Sequence, residues 1–445
     1  FHAVVASIPF NDSKTVNETL DQWKGAGWPA YTMTLGQQMY DRQQSLIYDG
    51  RTVLVAIGVF ADAEKARSVV ENVNDSGGSG WVYEEVLGLA QGRLTFSVNG
   101  QIQAVGHELS LLPKGLTRLK KVEFAAGYPW HGFEDRNYRG HMVIRWGAHD
   151  VMDAVLMTEF EDVLAGIVPS EISYKADIAA MQAQAVAARG EILGKIGIRH
   201  AGEGFDTCSE QHCQVFAGET VYTPDVAKKI APTKGKILCD SKGKIVDAVY
   251  SSNCGGHGEA NHLVWTTTPN PILIGVWDTQ SPPNLDLSEE EQIGVFLRNP
   301  QNCFCNEPTV EGGDKFRWKK TIAAADWKAV ESQVGVGRIK TVNNLARGFS
   351  GRIYQLTMVG ERGSKTILKE LTIRKLLGSL KSSCFIPDWK RDADWFIIGA
   401  DLLGGGFGHG VGMCQTGAQS MAKRGLVFDK ILLHYFPGSA LKQWY

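Results

Sequence analysis

One pattern is written twice in the first 90 residues, and it constrains the fold more than any other feature of the chain. Val4-Val5-Ala6 through Phe10 and Asp12 lines up with Leu54-Val55-Ala56 through Phe60 and Asp62, an offset of 50 positions. Each copy is an apolar strand that closes on an aromatic residue and an acidic helix cap. Each copy then turns helical: Val16, Leu20 and Trp23 recur at helical spacing in the first, and Ala63, Ala66 and Val70 in the second, with Gly25 placed to stop the first helix. Strands around 31–34 and 81–86 complete a β-α-β-β-α-β order, which predicts a split βαβ sandwich over residues 1–90.

A chain of 445 residues exceeds one hydrophobic core and calls for about two or three domains. With 43% apolar and 21% charged residues it has the composition of an ordinary globular protein. The net charge of -2 argues against a general nucleic-acid binder, which needs a basic surface to meet phosphates. No run reaches the roughly 18 apolar residues of a membrane span. The chain starts at Phe1 without a charged n-region or apolar h-region, so an export signal would lie outside this numbering. Eight cysteines stand at 208, 213, 239, 254, 303, 305, 384 and 414, all in the second half. They point to metal ligation or disulfides there, and the expectation is an exported protein with one metal site and one or two disulfides.

Residues 91–165 read as short strands, near 94–98, 102–105 and 141–146, separated by Gly, Asn and Pro turns. Trp130, His131 and Trp146 would line a sugar groove or, as is commoner for aromatics, pack in the core. At Gly166-Ile167-Val168-Pro169-Ser170-Glu171 a Pro and a cap-competent Ser place Glu171 in the first turn of a helix. There it complements the helix dipole or, desolvated by Ile167, Val168 and Ile172, keeps a proton for general acid catalysis. The next helix carries Ile178, Met181, Ala185, Ala188 and Ile192 as one apolar stripe. A continuous helix would separate Glu171 from Arg189 by about 27 Å, so a shared site requires a bend near 173–176.

His200, Cys208, His212 and Cys213 offer four ligands to a tetrahedral zinc ion, which with every place filled by protein would be structural. A Cys208–Cys213 disulfide or free thiols stay open. Residues 248–256 read as a strand entering a turn rich in hydroxyls, without the G-x-S-x-G elbow of a serine nucleophile. The glycine-rich run from Gly404 to Gln415 lacks the βαβ setting of a dinucleotide fingerprint, which leaves its glycines for close backbone approach to another ligand.

Two resemblances follow from these segments. Residues 1–88, with Val55-Ala56-Ile57-Gly58-Val59-Phe60-Ala61-Asp62 followed by Ala63-Glu64-Lys65-Ala66-Arg67, resemble the SPOR domain. That resemblance implies a module that binds peptidoglycan glycan stripped of stem peptides. Four blocks in order resemble the SpoIID/LytB domain: Val168-Pro169-Ser170-Glu171; Ala183-Gln184-Ala185-Val186-Ala187-Ala188-Arg189; Cys208 through His212-Cys213-Gln214-Val215-Phe216-Ala217-Gly218; and Gly408-His409-Gly410-Val411-Gly412-Met413 with Gln415. The match spans about 160–440 and is poor from about 265 to 400, which looks like an insertion.

The second resemblance implies a lytic transglycosylase that cuts glycan strands lacking stem peptides to 1,6-anhydro products, with Glu171 as the catalytic residue. It makes Arg189, Tyr250, Ser252, His409, Gln415 and Tyr435 candidates for substrate contact, and turns His200, Cys208, His212 and Cys213 into a structural zinc site. The chain departs from the family pattern at Gly190, at Cys414 where Ser is usual, and at His257-Gly258-Glu259, where Glu259 is a second acidic group in the cleft or, as is expected here, a surface residue. The expected class is α+β: a SPOR-like sandwich over 1–90, a β-rich subdomain over 91–165 and a catalytic region over 166–445. Two other readings remain, a non-enzymatic glycan binder that activates a cell-wall amidase and a zinc-dependent hydrolase. The expected setting is extracytoplasmic.

Overall fold

The repeat in the first 90 residues becomes the centre of a sheet. In the computed structural model, which describes every residue except 41, 42, 45, 77, 127–130, 211, 221, 266–268, 300 and 301, the chain opens with strand β1 (His2–Pro9), helix α1 (Ser13–Gly25) and strand β2 (Tyr31–Leu35). A small hairpin of β3 (Gln38–Tyr40) and β4 (Leu46–Asp49) follows, then β5 (Thr52–Val59), helix α2 (Ala63–Asp75) and β6 (Trp81–Tyr83). The antiparallel sheet runs β2-β5-β1-β6, so the two repeat copies are its central neighbours. Val53 through Ile57 are buried without interruption, as a strand covered on both faces requires. Ala3, Ile57, Val70 and Val73 pack on one side, and Val4, Leu54 and Ala56 on the other.

Both predicted caps are present. Asp12 accepts from the Thr15 amide at 3.1 Å and Asp62 from the Lys65 amide at 2.9 Å, each contributing about 1 kcal/mol. Gly25 is the last residue of α1, and the left-handed turn that follows falls on Gly27. The hairpin β3–β4 had no signal of its own in the sequence.

Between the sandwich and the next helix lie short antiparallel strands. Leu94–Val98 and Gln101–Gly106 form a hairpin around Asn99 and Gly100, both at positive φ, the geometry a tight two-residue turn needs. His141–Trp146 pairs with Met152–Met157 and Glu108–Leu111, and Leu116–Phe124 pairs with Gly132–Arg139. Trp130 lies outside the described residues. Trp146 packs its indole against Gly92, where a Cβ would collide with the ring, and exposed His131 bonds Glu123 at 2.8 Å.

Helix α3 spans Phe160–Glu171 and helix α4 spans Ile178–Leu193. Glu171 therefore ends a helix instead of starting one. The apolar run of Val163, Leu164, Ile167 and Val168 carries the helix up to Pro169, which sits in its last turn, so the Pro and Ser that read as a start signal mark a stop. The expected break lies between α3 and α4. Helix α4 is buried well beyond one stripe, with Met181, Gln184, Ala185, Val186, Ala188 and Arg189 all inaccessible.

The chain forms two compact units: residues 1–174, 188–237 and 442–445, and residues 175–187 with 238–441. The described residues of the stretch from 265 to 400 belong to the second unit, and helix and strand contents of 28% and 32% place the whole in the α+β class. Within it Arg317–Ile322, Ile397–Gly405 and Phe385–Arg391 form one sheet, and Ile339–Arg347, Ile353–Gly360 and Gly363–Leu368 another. Trp318, Trp327, Met358, Phe385 and Ile397 share one hydrophobic core, which explains why this segment folds although it departs from the motif pattern. All eight cysteines are free thiols, so the expected disulfides are not formed. Among the described residues no helix is long and apolar enough to cross a membrane.

Candidate functional site

Glu171 sits half-buried at the C-terminal end of α3, between fully buried Ile167, Val168 and Ile172 and the exposed turn that follows. That is the negative end of the helix dipole, the reverse of the position the sequence suggested. Its Oε1 accepts a hydrogen bond from Gln214 Nε2 at 2.8 Å. Gln214 is itself buried and comes from the loop that carries Cys208, His212 and Cys213. This loop reaches α3 because Gly166 has no side chain: a Cβ there would run into the Phe216 ring and lie 3.0 Å from the Gly218 carbonyl.

The donor atoms of His200, Cys208, His212 and Cys213 all lie within 4.8 Å of one another. Cys213 Sγ is 3.6 Å and Cys208 Sγ 3.9 Å from His212 Nδ1, close to the edge of about 3.6 Å that Zn–S and Zn–N bonds of about 2.3 and 2.05 Å enclose at the tetrahedral angle. His200 Nδ1 faces Glu203 at 3.0 Å while its Nε2 is buried with no hydrogen-bond partner among the described residues. A ring nitrogen left so, with the other held by a carboxylate, is the arrangement of a metal-ligating histidine. The Cys213 thiol, donating to Cys208, holds Cys208 well below the ordinary thiol range, and the two histidines act in the same direction. These residues fit zinc. Lys195 anchors the loop from below, bonding the Cys213 carbonyl at 2.5 Å and Glu191 at 2.6 Å.

Arg189 does not join Glu171. The break between α3 and α4 turns the chain, but the guanidinium is fully buried and engaged elsewhere, bonding both carboxylate oxygens of Glu161 at 3.1 and 2.8 Å and the Lys236 carbonyl at 2.7 Å. Glu161 lies at the opposite end of α3, about 15 Å along the axis from Glu171. Burial works to raise the Glu161 carboxyl, and the bonds from Arg189 and Tyr445 outweigh it, so the pair is ionised. Arg189 thus fixes α3, and its reading as a substrate contact is corrected.

The family model described as Stage II sporulation protein matches residues 148–239, the segment that holds α3, α4 and the His/Cys loop. The chain is 28% identical over 309 residues to the amidase enhancer of Bacillus subtilis, covering 63% of this chain and 40% of that one. It is 28% identical over 300 residues to stage II sporulation protein D of the same organism, covering 64% and 74%. It is 26% identical over 313 residues to the stage II sporulation protein D of Bacillus amyloliquefaciens, covering 66% and 76%. Residues 148–239 thus match the SpoIID family read from the sequence, and the chain is similar to SpoIID and amidase-enhancer proteins over about two thirds of its length. A second model, a domain of unknown function, DUF8618, matches residues 259–412, the stretch that looked inserted. The chain thus spans under half of the enhancer's length and about three quarters of the sporulation proteins'.

The other residues that the sequence resemblance singled out lie in the second unit. Tyr250–Ser251 pairs in parallel with Met413–Cys414, which brings the hydroxyl-rich turn against the glycine-rich run. Gly406, Gly408, Gly410 and Gly412 all take positive φ, and the chain itself occupies the space a side chain would need: the Val249 carbonyl at Gly412, the Arg352 guanidinium at Gly410. Their closeness is to this protein's own backbone and side chains, not to another ligand. His409 Nδ1 accepts from the Val411 amide at 3.0 Å; burial, with Arg352 and Arg374 beside it, pushes the imidazole down to about 3, so it is neutral. Half-buried Tyr250 is on the same turn, and Ser252 Oγ accepts from Lys315 Nζ at 3.1 Å.

Three expectations fail here. Tyr435 is buried with its hydroxyl bonded to Asp278 at 2.6 Å, and Gln415 is buried beside Gln184 at 3.3 Å, so both serve the interior. Glu259 is not at the surface. It is fully buried, accepting from the Ala260, Phe349 and Ser350 amides and the Ser350 hydroxyl, and burial raises its carboxyl above the ordinary range. The sequence missed Gln214, whose role is visible only once its loop docks on α3. It also missed Tyr174, three residues beyond Glu171, which stacks on exposed Tyr222 with centroids 3.8 Å apart and planes 10° from parallel.

Proposed function

We propose that this chain is an extracytoplasmic lytic transglycosylase that cleaves peptidoglycan glycan strands lacking stem peptides, with Glu171 as its one general acid and base. The observation that carries the reading is a half-exposed carboxylate at the negative end of α3, oriented by Gln214 from the His/Cys loop. A carboxyl at that end of a helix, against apolar Ile167, Val168 and Ile172, suits a group that must arrive carrying its proton. Glu171 gives that proton to the glycosidic oxygen as the bond from C1 breaks. It then takes the proton of the sugar's 6-hydroxyl as O6 bonds to C1, and the 1,6-anhydro end forms without water or a second carboxylate. Zinc on His200, Cys208, His212 and Cys213 would stiffen the loop that bears Gln214, and the reaction makes no use of it. The stacked Tyr174 and Tyr222 offer an aromatic face to a sugar ring. The sandwich over residues 1–90 keeps the β-α-β-β-α-β order read from the sequence, and the SPOR resemblance would give it a glycan-tethering role.

The test incubates wild type and Glu171→Gln with glycan strands carrying or lacking stem peptides. Anhydro-ended fragments by mass spectrometry are expected from stripped strands with wild type alone. Equal fragments from both proteins would overturn the assignment of Glu171. The resemblance to an amidase enhancer supports a second reading, a glycan binder that activates an amidase. In that case the variant would still raise amidase turnover while neither protein released anhydro ends.

A further inference from the structure

We propose that Cys254, Asp278, Cys305 and Cys414 form a second metal site, one that takes a tetrahedral zinc ion with a purely structural role. The site lies within the second unit and is separate from the His/Cys loop. Its four donor atoms lie within 4.8 Å of one another, and every one of the four residues is buried. The Cys254 and Cys305 sulfurs are 3.6 Å apart, near the edge of about 3.8 Å that two Zn–S bonds of about 2.3 Å span at the tetrahedral angle.

The surroundings are built as a metal site's would be. Asp278 is oriented from both sides, Oδ1 accepting from Tyr435 at 2.6 Å and Oδ2 from the Cys305 amide at 2.7 Å. Cys414 caps the helix Gln415–Lys423, its sulfur accepting from the Gly417 amide at 3.4 Å and from the Cys254 amide at 3.2 Å, contacts that favour a thiolate. Among the described residues no cationic side chain bonds the four donor side chains, and Arg352 reaches only the Cys254 carbonyl, at 3.2 Å. The nearby guanidiniums of Arg317 and Arg352 are satisfied by carbonyls and by Ser350. As three thiolates and a carboxylate the set would be costly to bury with no cation bonded to its donor atoms, and a divalent ion supplies that charge.

Zinc is the metal that suits the set. Thiolates favour soft or borderline ions, while the carboxylate argues against copper(I) and against an iron–sulfur cluster held by four cysteines. No donor is more than 3% exposed, so no substrate reaches the ion and the role is to tie four segments of chain together. Cys303, two residues from Cys305, points its sulfur to the Gly256 carbonyl and stays outside the set.

The test measures metal per chain on the full protein purified without chelator from zinc-supplemented medium. Two zinc ions per chain are expected. The variant Cys208→Ser with His212→Ala should keep one of them, and Cys305→Ser should lose that one. Should the latter fail to fold, X-ray absorption on the Cys208→Ser, His212→Ala protein decides, with three sulfur neighbours and one light atom expected. Retention of the second ion in a folded Cys305→Ser, a wild type holding zinc only at the first site, or non-reducing peptide maps linking any two of Cys254, Cys305 and Cys414 would each overturn the proposal.

Discussion

The two donor clusters differ in how they are built. In the first unit His200, Cys208, His212 and Cys213 come from one loop, His212 is exposed, and two imidazoles share the site with two thiols. In the second unit Cys254, Asp278, Cys305 and Cys414 come from four distant segments, none is accessible, and no imidazole takes part. The first arrangement can organise only its own loop, and through Gln214 it reaches a half-exposed carboxylate. The second joins parts of the chain that sequence holds far apart, and what it can supply is cohesion. The loop cluster stays open to solvent, while the core cluster is sealed.

The largest effect that sharpens this contrast is at Glu171. Glu171→Gln should lower cleavage of stripped glycan by about 10²–10⁴-fold, the usual contribution of a general acid, with zinc content and thermal midpoint unchanged. Comparable loss of stability would place Glu171 with the cohesive groups. Next, Arg189→Met leaves the half-buried Glu161 carboxylate with only the Tyr445 hydroxyl and the Gly235 amide and should cost about 2 kcal/mol in a denaturant titration. A variant as stable as wild type would return Arg189 to the list of substrate contacts.

The second unit should be the acid-labile one. Burial pushes His257 down to about 4, so below an unfolded value of about 6.5 the unfolded chain takes up a proton that the folded one refuses. Stability is complete above that value and falls as the pH drops from about 6.5 to about 4, by roughly 3 kcal/mol in all. His257→Phe should flatten this slope in melts run from pH 7 to 4, and an unchanged slope would remove His257 from the account. The smallest effect is at Gln214→Leu, which should lower kcat about tenfold through a lost hydrogen bond to Glu171 while leaving both metals in place.

How far the sequence carried depended on distance along the chain. The caps Asp12 and Asp62, the repeat strands and the hairpin at Asn99-Gly100 were legible because each is settled within a few residues. The grouping of His200, Cys208, His212 and Cys213 was legible for the same reason. Pro169 misled because a proline closes a helix as readily as it opens one, and the upstream apolar run decides between them. Arg189 misled because a family block records a residue type without saying what it faces. Glu259 misled because a charged residue in a glycine-rich turn carries no local sign of the amides of residues 349 and 350 that will enclose it.

By itself, then, the sequence determined the sandwich order, the helix starts set by acidic caps, the family resemblance and the candidate acid Glu171, all written in short-range spacing. Tertiary structure alone decided which face of α3 meets Gln214, that Arg189 answers Glu161, and that Cys414 stands with Cys254, Asp278 and Cys305. These depend on contacts between residues tens to hundreds of positions apart, and such contacts are fixed only when burial of the whole core has chosen which segments lie side by side.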